Sequence, residues 1–156
     1  MRRGSSALRG VVLALVMAAV LGTAAAQGSP EFVHAKASGS FDATVASLKK
    51  AVASNGMMVL GTLNQKGALS TTGLVLEGAE SFFVGNPVAG KALFEMDAAA
   101  GAAIPLRVYV WVDGTGATEV GYFKPSDLLG GVSPEVAQMG AKMDGVFAKI
   151  LAGATR

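Results

Sequence analysis

Few side chains in this sequence are suited to nucleophilic chemistry. Ser70, Thr71 and Thr72 form the most concentrated group of hydroxyls, but a hydroxyl nucleophile needs an adjacent general base. The one histidine, His34, lies far from them in sequence. With no cysteine in the 156 residues, a thiol nucleophile, a disulfide scaffold and a cysteine-ligated metal site are excluded. We assign no catalytic residue, and an enzyme that uses a Ser or Thr hydroxyl or a Lys stays open as an alternative.

Two glycine-containing segments superficially resemble nucleotide-binding loops. In the first, Lys66 precedes Gly67, whereas a phosphate-binding loop ends in Gly-Lys followed by Ser or Thr. In the second, Gly114 and Gly116 lack the third glycine of a dinucleotide fingerprint. We therefore predict no nucleotide cofactor.

A metal site built from thioethers is a second alternative, because methionine sulfur binds copper in some exported proteins. Met139 and Met143 are four residues apart and share one face of a predicted helix. That face is also the one that the apolar periodicity buries, and methionine commonly fills gaps in a core. We favour core packing for both residues and predict neither a metal nor another cofactor.

A possible anion site lies where a predicted strand runs directly into a predicted helix. Gly85 would let a ligand approach the backbone, free N–H groups at the helix start could hold an anion, and Lys91 adds positive charge one turn later. Asn86 followed by Pro87 is equally accounted for as a helix cap that needs no ligand, and we favour capping. Gly85, Asn86 and Lys91 are kept as candidate ligand-binding residues.

The strand predicted over residues 104–113 has two chemically different faces, because side chains alternate along a strand. One face is aliphatic and carries Leu106, Val108, Val110 and Val112. The other carries Arg107, Tyr109, Trp111 and Asp113. Arg, Tyr and Trp are enriched in interface hot spots. Arg107, Tyr109 and Trp111 are therefore candidate residues for self-association, while a ligand platform and an ordinary half-exposed sheet surface stay open as alternatives.

The elements that would position these residues alternate between strands and helices. Strands are predicted at residues 31–37, 57–63, 81–85, 104–113 and 118–123, and helices begin after Ser40, Asn86 and Ser133. Residues 64–78 are predicted to be mobile or partly helical. The order strand, helix, two strands, helix, hairpin and helix predicts an α+β fold, with a mainly antiparallel sheet and the helices on one face.

The N-terminus is typical of a secretory signal peptide. Arg2, Arg3 and Arg9 precede a 12-residue apolar run, and small residues up to Ala26 follow it. We predict cleavage after Ala26, a periplasmic or secreted location, and a single domain over residues 27–156 without stable membrane insertion. An uncleaved anchor stays open. The formal charge of the whole chain is +2, and loss of the three arginines brings it to about −1, which removes the electrostatic basis for binding nucleic acid.

Several short motifs recur in order along most of the chain. They are Phe41-Asp42-Ala43-Thr44, Gly85-Asn86-Pro87, Ile104-Pro105-Leu106-Arg107-Val108, Asp113-Gly114, Tyr122 and Pro125. Together they resemble the domain of unknown function 302 family over about residues 32–151. The resemblance implies a TBP-like α+β domain that tends to form homodimers, and it carries no established activity.

The chain departs from that family pattern after the second strand. Many members have an Asp-His pair where this sequence has Asn64-Gln65. Neither amide delivers a proton or a carboxylate as that pair would, so a metal or acid–base role for the family is not expected here. From the residues and the resemblance together, we predict a homodimeric binding or interaction module, with an unknown small ligand or anion as a further possible partner.

Overall fold

The computed structural model describes residues 28–156, so the predicted signal peptide lies outside the described residues. The centre of the described region is an open, fully antiparallel five-stranded sheet in the order β1-β5-β4-β3-β2. The strands are β1 Phe32–Lys36, β2 Met58–Asn64, β3 Ala79–Gly85, β4 Leu106–Val112 and β5 Thr118–Phe123. The predicted α+β class and antiparallel sheet are confirmed.

Five α-helices accompany the sheet in the described part of the chain. They are α1 Phe41–Ser54, α2 Gln65–Ser70, α3 Pro87–Met96, α4 Pro125–Gly130 and α5 Pro134–Ala154. A 3₁₀ helix, Ala98–Ala102, connects α3 to β4. Within residues 28–156, no helix has the length and apolar character needed to cross a membrane.

The three predicted helix starts are confirmed, and each has a side-chain cap. Ser40 Oγ accepts a hydrogen bond from the Ala43 N–H, and Ser133 Oγ accepts one from the Val136 N–H, both at 3.4 Å. At the other end of α1, Gly56 has a φ of +69°, which glycine adopts without strain. The helix starts were predictable because capping depends on residues that are neighbours in sequence.

The core lies between the inner face of the sheet and the long helices α1 and α5. Its fully buried side chains include Leu48, Phe82, Val108, Val110, Val120, Phe147 and Ile150. The predicted alternation of β4 is confirmed, since Leu106, Val108 and Val110 are buried and Arg107 is exposed. Tyr122 packs edge-on against Phe147 in this core, and burial raises the pKa of its phenol.

Two features differ from the sequence prediction. On α5, Phe147 and Gly140 are buried along with Val136, Met143 and Ile150, whereas Met139 and Val146 are only partly buried. Met143 therefore lies in the buried face as predicted, whereas Met139 lies at the edge of that face. The short helix α4 was not predicted, and it packs against α5.

Candidate functional site

The outer face of the sheet carries a cluster of aromatic rings. The strand pairing places Phe32 opposite Phe123, and His34 opposite Gly121, on the same side as Tyr109 and Trp111. We call this cluster the aromatic face, defined by Phe32, His34, Tyr109, Trp111 and Phe123. It spans β1, β5 and β4, on the side of the sheet opposite to the core.

The rings of the aromatic face are in contact with one another. Tyr109 and Trp111 stack nearly parallel, with centroids 5.1 Å apart and an angle of 8°. Phe32 joins the two halves of the cluster, since its centroid lies 5.9 Å from Trp111 and 5.2 Å from Phe123. His34 stacks on Phe32 at 5.4 Å. Such offset and tilted pairs are favourable beyond the area they bury.

Charged groups border and support these rings. His34 Nδ1 lies 3.0 Å from Glu119 Oε2, a carboxylate oxygen of the neighbouring strand. Through this contact, Glu119 supports the ring of His34, the single histidine, within the aromatic face. Arg107 is exposed on the same face of β4 as Tyr109 and Trp111. It forms no ion pair with any residue of the described region.

The far side of the outer face, at β2 and β3, is partly covered by α2. Ser81 is fully buried, and its Oγ donates a 3.1 Å hydrogen bond to Gln65 Oε1. Asn64 Oδ1 accepts a 2.7 Å hydrogen bond from the Gly67 N–H and so caps α2. Asn64 and Gln65, the pair that replaces Asp-His, therefore anchor this short helix to the sheet.

The three adjacent hydroxyls are all used within their own turn. Ser70, Thr71 and Thr72 each donate a hydrogen bond, of 2.7 to 2.8 Å, to the backbone carbonyl three residues earlier. None of these bonds brings a general base to a hydroxyl, as an activated nucleophile requires. Within residues 28–156, no three His, Asp or Glu side chains come together as a metal site.

All three predicted ligand-binding residues line one cavity, of about 420 Å³, between α3 and the adjoining end of the sheet. We call it the α3 cavity. Gly85, Asn86 and Lys91 are joined there by apolar residues that the sequence did not indicate, among them Leu60, Phe94 and Met143. Their convergence depends on pairings between distant segments, so no local pattern could have revealed it.

Asn86 itself is fully engaged as a cap. Its Oδ1 accepts hydrogen bonds from the Val88 and Ala89 N–H groups at 2.9 and 3.2 Å. Its Nδ2 donates a 2.8 Å bond to the Gly56 carbonyl. The Gly90 N–H is bonded to the Asn86 carbonyl, and Pro87 has no N–H. The first turn of α3 therefore has its N–H groups occupied, and an anion in the cavity would depend on Lys91.

Comparison with known proteins agrees with this architecture. The family model described as "Domain of unknown function DUF302" matches residues 33–150. No curated protein matches the chain significantly. The fold is similar to the crystal structure of an uncharacterized conserved DUF302 protein from Bacillus stearothermophilus, with a TM-score of 0.74 and 21% sequence identity. The match covers 80% of this chain and 98% of that one.

Proposed function

The chain belongs to the DUF302 family, and from this premise we propose that it is an exported interaction module that pairs with a second copy of itself through the aromatic face. The observation that carries the proposal is the contrast between the two faces of the sheet. One is covered by α1 and α5, whereas the other holds five contacting rings that remain partly accessible to water.

The exposure of these rings favours a partner. Phe32 is 43% exposed and Phe123 is 37% exposed, and Leu63 on the same face is 45% exposed. Burying apolar surface stabilises a complex by about 25 cal/mol per Å² before the costs of association are subtracted. Trp, Tyr and Arg are the residue types most often found as hot spots, and β4 presents one of each.

The side chains of Arg107, Tyr109 and Trp111 on β4 are also spaced suitably for a dimer with two-fold symmetry. Arg107 and Trp111 are four residues apart on one face of the strand, or about 13 Å at the rise of a β-strand. In a two-fold dimer each contact occurs twice with the roles exchanged. An axis near Tyr109 would place Arg107 of each copy over Trp111 of the other, where a guanidinium on an indole ring is attracted electrostatically.

The size of the outer face sets the area that a dimer could bury. Five strands about 4.8 Å apart, of five to seven residues each, give a flat area of roughly 24 Å by 17 to 23 Å. Projecting side chains raise the accessible area toward the lower end of the roughly 600 to 1,000 Å² per partner seen in stable complexes. Because α2 covers part of β3, the area available to a partner lies near that lower end.

The export half of the proposal depends on residues 1–26 alone. Their basic start, apolar run and small residues before Gln27 are the support for it. Export would release a domain whose charge is near zero, which suits association between identical copies better than a strongly charged surface does.

Sedimentation velocity on Trp111→Ala tests the interface. Removing this ring should weaken association by at least ~2 kcal/mol, the range of a hot spot, while circular dichroism shows an intact fold. Phe94→Ala is the matched control, since it truncates another exposed aromatic residue away from the aromatic face and should leave association unchanged.

Two results would reject the proposed interface. A folded Trp111→Ala variant with the same dissociation constant as the wild type would place the interface elsewhere. Wild-type protein that stays monomeric at high micromolar concentration would exclude the dimer.

A further inference from the structure

The α3 cavity has an apolar interior and an apolar rim. Val84, Leu93, Leu106 and Met143 line it and are buried, so they form its inner surface. Leu60 and Phe94 also line it and are about half exposed, so they stand at its entrance. A volume of about 420 Å³ lies within the range of roughly 300 to 1,000 Å³ that small-molecule pockets occupy.

Among the polar side chains that line this cavity, one cation is available to a ligand. Of the residues that line it, Lys91 alone carries a charge. Asn86, the other polar side chain, already uses its oxygen within α3 and its nitrogen on Gly56. A ligand would therefore meet apolar walls and a single ammonium group.

The ammonium of Lys91 is held by a contact that is easily exchanged. Lys91 Nζ lies 2.6 Å from Glu95 Oε1 one turn later on α3, and the two side chains are 74% and 63% exposed. Exposed pairs of this kind change an equilibrium only about twofold. An incoming carboxylate can therefore replace Glu95 at small cost.

We propose that the α3 cavity binds a monocarboxylic acid with an aliphatic chain, with the chain against Leu93, Leu106 and Met143 and the carboxylate on Lys91. Charge complementarity selects the acid, because Lys91 is the one charged group in the lining. The apolar inner surface selects the chain, because its transfer from water is favourable. This inference is independent of the proposed self-association, since the cavity shares no residue with the aromatic face.

Decanoic acid and decan-1-ol are the probes that separate the two parts of the proposal. Isothermal titration calorimetry, below the concentration at which decanoate forms micelles, should show one saturable site for the acid and weaker binding of the alcohol. Lys91→Met should weaken decanoate binding about two- to threefold and leave decan-1-ol unchanged. Glu95→Gln should strengthen decanoate binding about twofold, because the ammonium loses its competing carboxylate.

Filling the cavity tests where the chain lies. Gly90 lines the cavity, one turn after Asn86, and a Cβ atom there would have no neighbour within 4 Å. Gly90→Leu should therefore weaken the binding of both probes at least tenfold. It should not weaken the helix, because leucine has a higher helix propensity than glycine. Gly145→Leu is the matched control, an identical change at an exposed position of α5 that should alter neither affinity.

Three results would overturn the proposal. They are the absence of saturable decanoate binding, equal affinity for the acid and the alcohol, and decanoate binding that Gly90→Leu leaves intact. If Gly90→Leu failed to fold, Lys91→Met and Glu95→Gln would still decide the matter, because both side chains are exposed and their expected effects have opposite signs.

Discussion

The ring of Phe32 lies directly over Gly121 on the neighbouring strand, where a Cβ atom would come within 2.6 Å of Phe32 Cζ. The same atom would come within 2.9 Å of His34 Cβ. Only a residue without a side chain lets both β1 side chains lie flat across β5. Gly121 therefore determines the shape of the aromatic face, although it contributes no ring to it.

Gly121→Ala should lower stability and disturb the aromatic face together. Forcing a methyl group into a well-packed site typically costs about 1 to 3 kcal/mol. We expect a loss in that range by denaturant unfolding, and weaker self-association by sedimentation, because Phe32 must turn away from Trp111.

A double-mutant cycle with Phe32→Ala provides the control. Once the Phe32 ring is absent, the added methyl loses two of its three nearest contacts, at 2.6 and 3.1 Å, so Gly121→Ala should cost less in that background. Strictly additive costs would show that the ring and the methyl do not compete for the same space.

Asn86→Ala should destabilise the protein whether or not a ligand is present. Loss of a helix cap costs about 1 kcal/mol, and loss of the bond to Gly56, which ties α3 to the turn after α1, adds about 1 kcal/mol. Denaturant unfolding measures the sum. Asn86→Asp keeps the acceptor and loses the donor, so it should retain the cap and show the smaller loss.

An unchanged stability of Asn86→Ala, combined with loss of decanoate binding, would contradict the capping role. It would favour direct contact between Asn86 and the ligand.

Asp113 should make stability depend on pH at the acid end. The Thr115 hydroxyl and the Ala117 and Thr115 N–H groups donate to its carboxylate and lower its pKa in the folded protein. A lowered folded pKa gives a contribution that is complete above the unfolded value of about 3.9 and is lost as the pH falls through the folded pKa. Asp113→Asn keeps an acceptor without a titrating charge, so its stability curve below pH 4 should be flatter. A wild-type curve parallel to that of Asp113→Asn would contradict this role.

The parts of the fold that sequence predicted are those set by local rules. Ser40, Asn86 and Ser133 cap helices through bonds that span three residues or fewer. Helix α4 escaped prediction because its start has no side-chain cap of its own, and the Ser126 N–H instead bonds to Asp144 Oδ1, 18 residues away on α5. A partner at that separation leaves no periodic signal.

The candidate site likewise has one part that local pattern predicted and another that depends on the pairing of distant strands. Alternation along β4 correctly placed Tyr109 and Trp111 on the face opposite the core. Nothing local showed that Phe32 and Phe123, about 90 residues apart, would meet these rings, because their contact depends on the pairing of β1 with β5. Arrangements that depend on strand order require the folded structure.

Export predicts a particular N-terminus. Cleavage after Ala26 removes residues 1–26, so intact-mass measurement on protein from the exported fraction should give a chain that begins at Gln27. Replacing Ala24 and Ala26 by Leu should block processing, because cleavage requires small residues at those positions. A full-length species that stays in the membrane after carbonate extraction would contradict cleavage and favour the anchor.

Replacing glycine by alanine should change the free energy of unfolding in opposite directions at two positions of α5. At Gly140 a Cβ atom would lie 2.8 Å from Ser126 Cα and 3.0 Å from the Pro125 carbonyl oxygen, so a methyl group must push α4 away through its backbone. Gly140→Ala should therefore lower the free energy of unfolding by at least ~1 kcal/mol, even after the better helix propensity of alanine is included.

At Gly145 the added Cβ meets nothing within 4 Å, so Gly145→Ala should raise the free energy of unfolding by up to ~1 kcal/mol. Denaturant unfolding of the two single variants decides the comparison, because the chemical change and the helix are the same and only the contact with α4 differs. If both substitutions stabilised the protein equally, α4 would not be held against α5 as closely as the geometry requires.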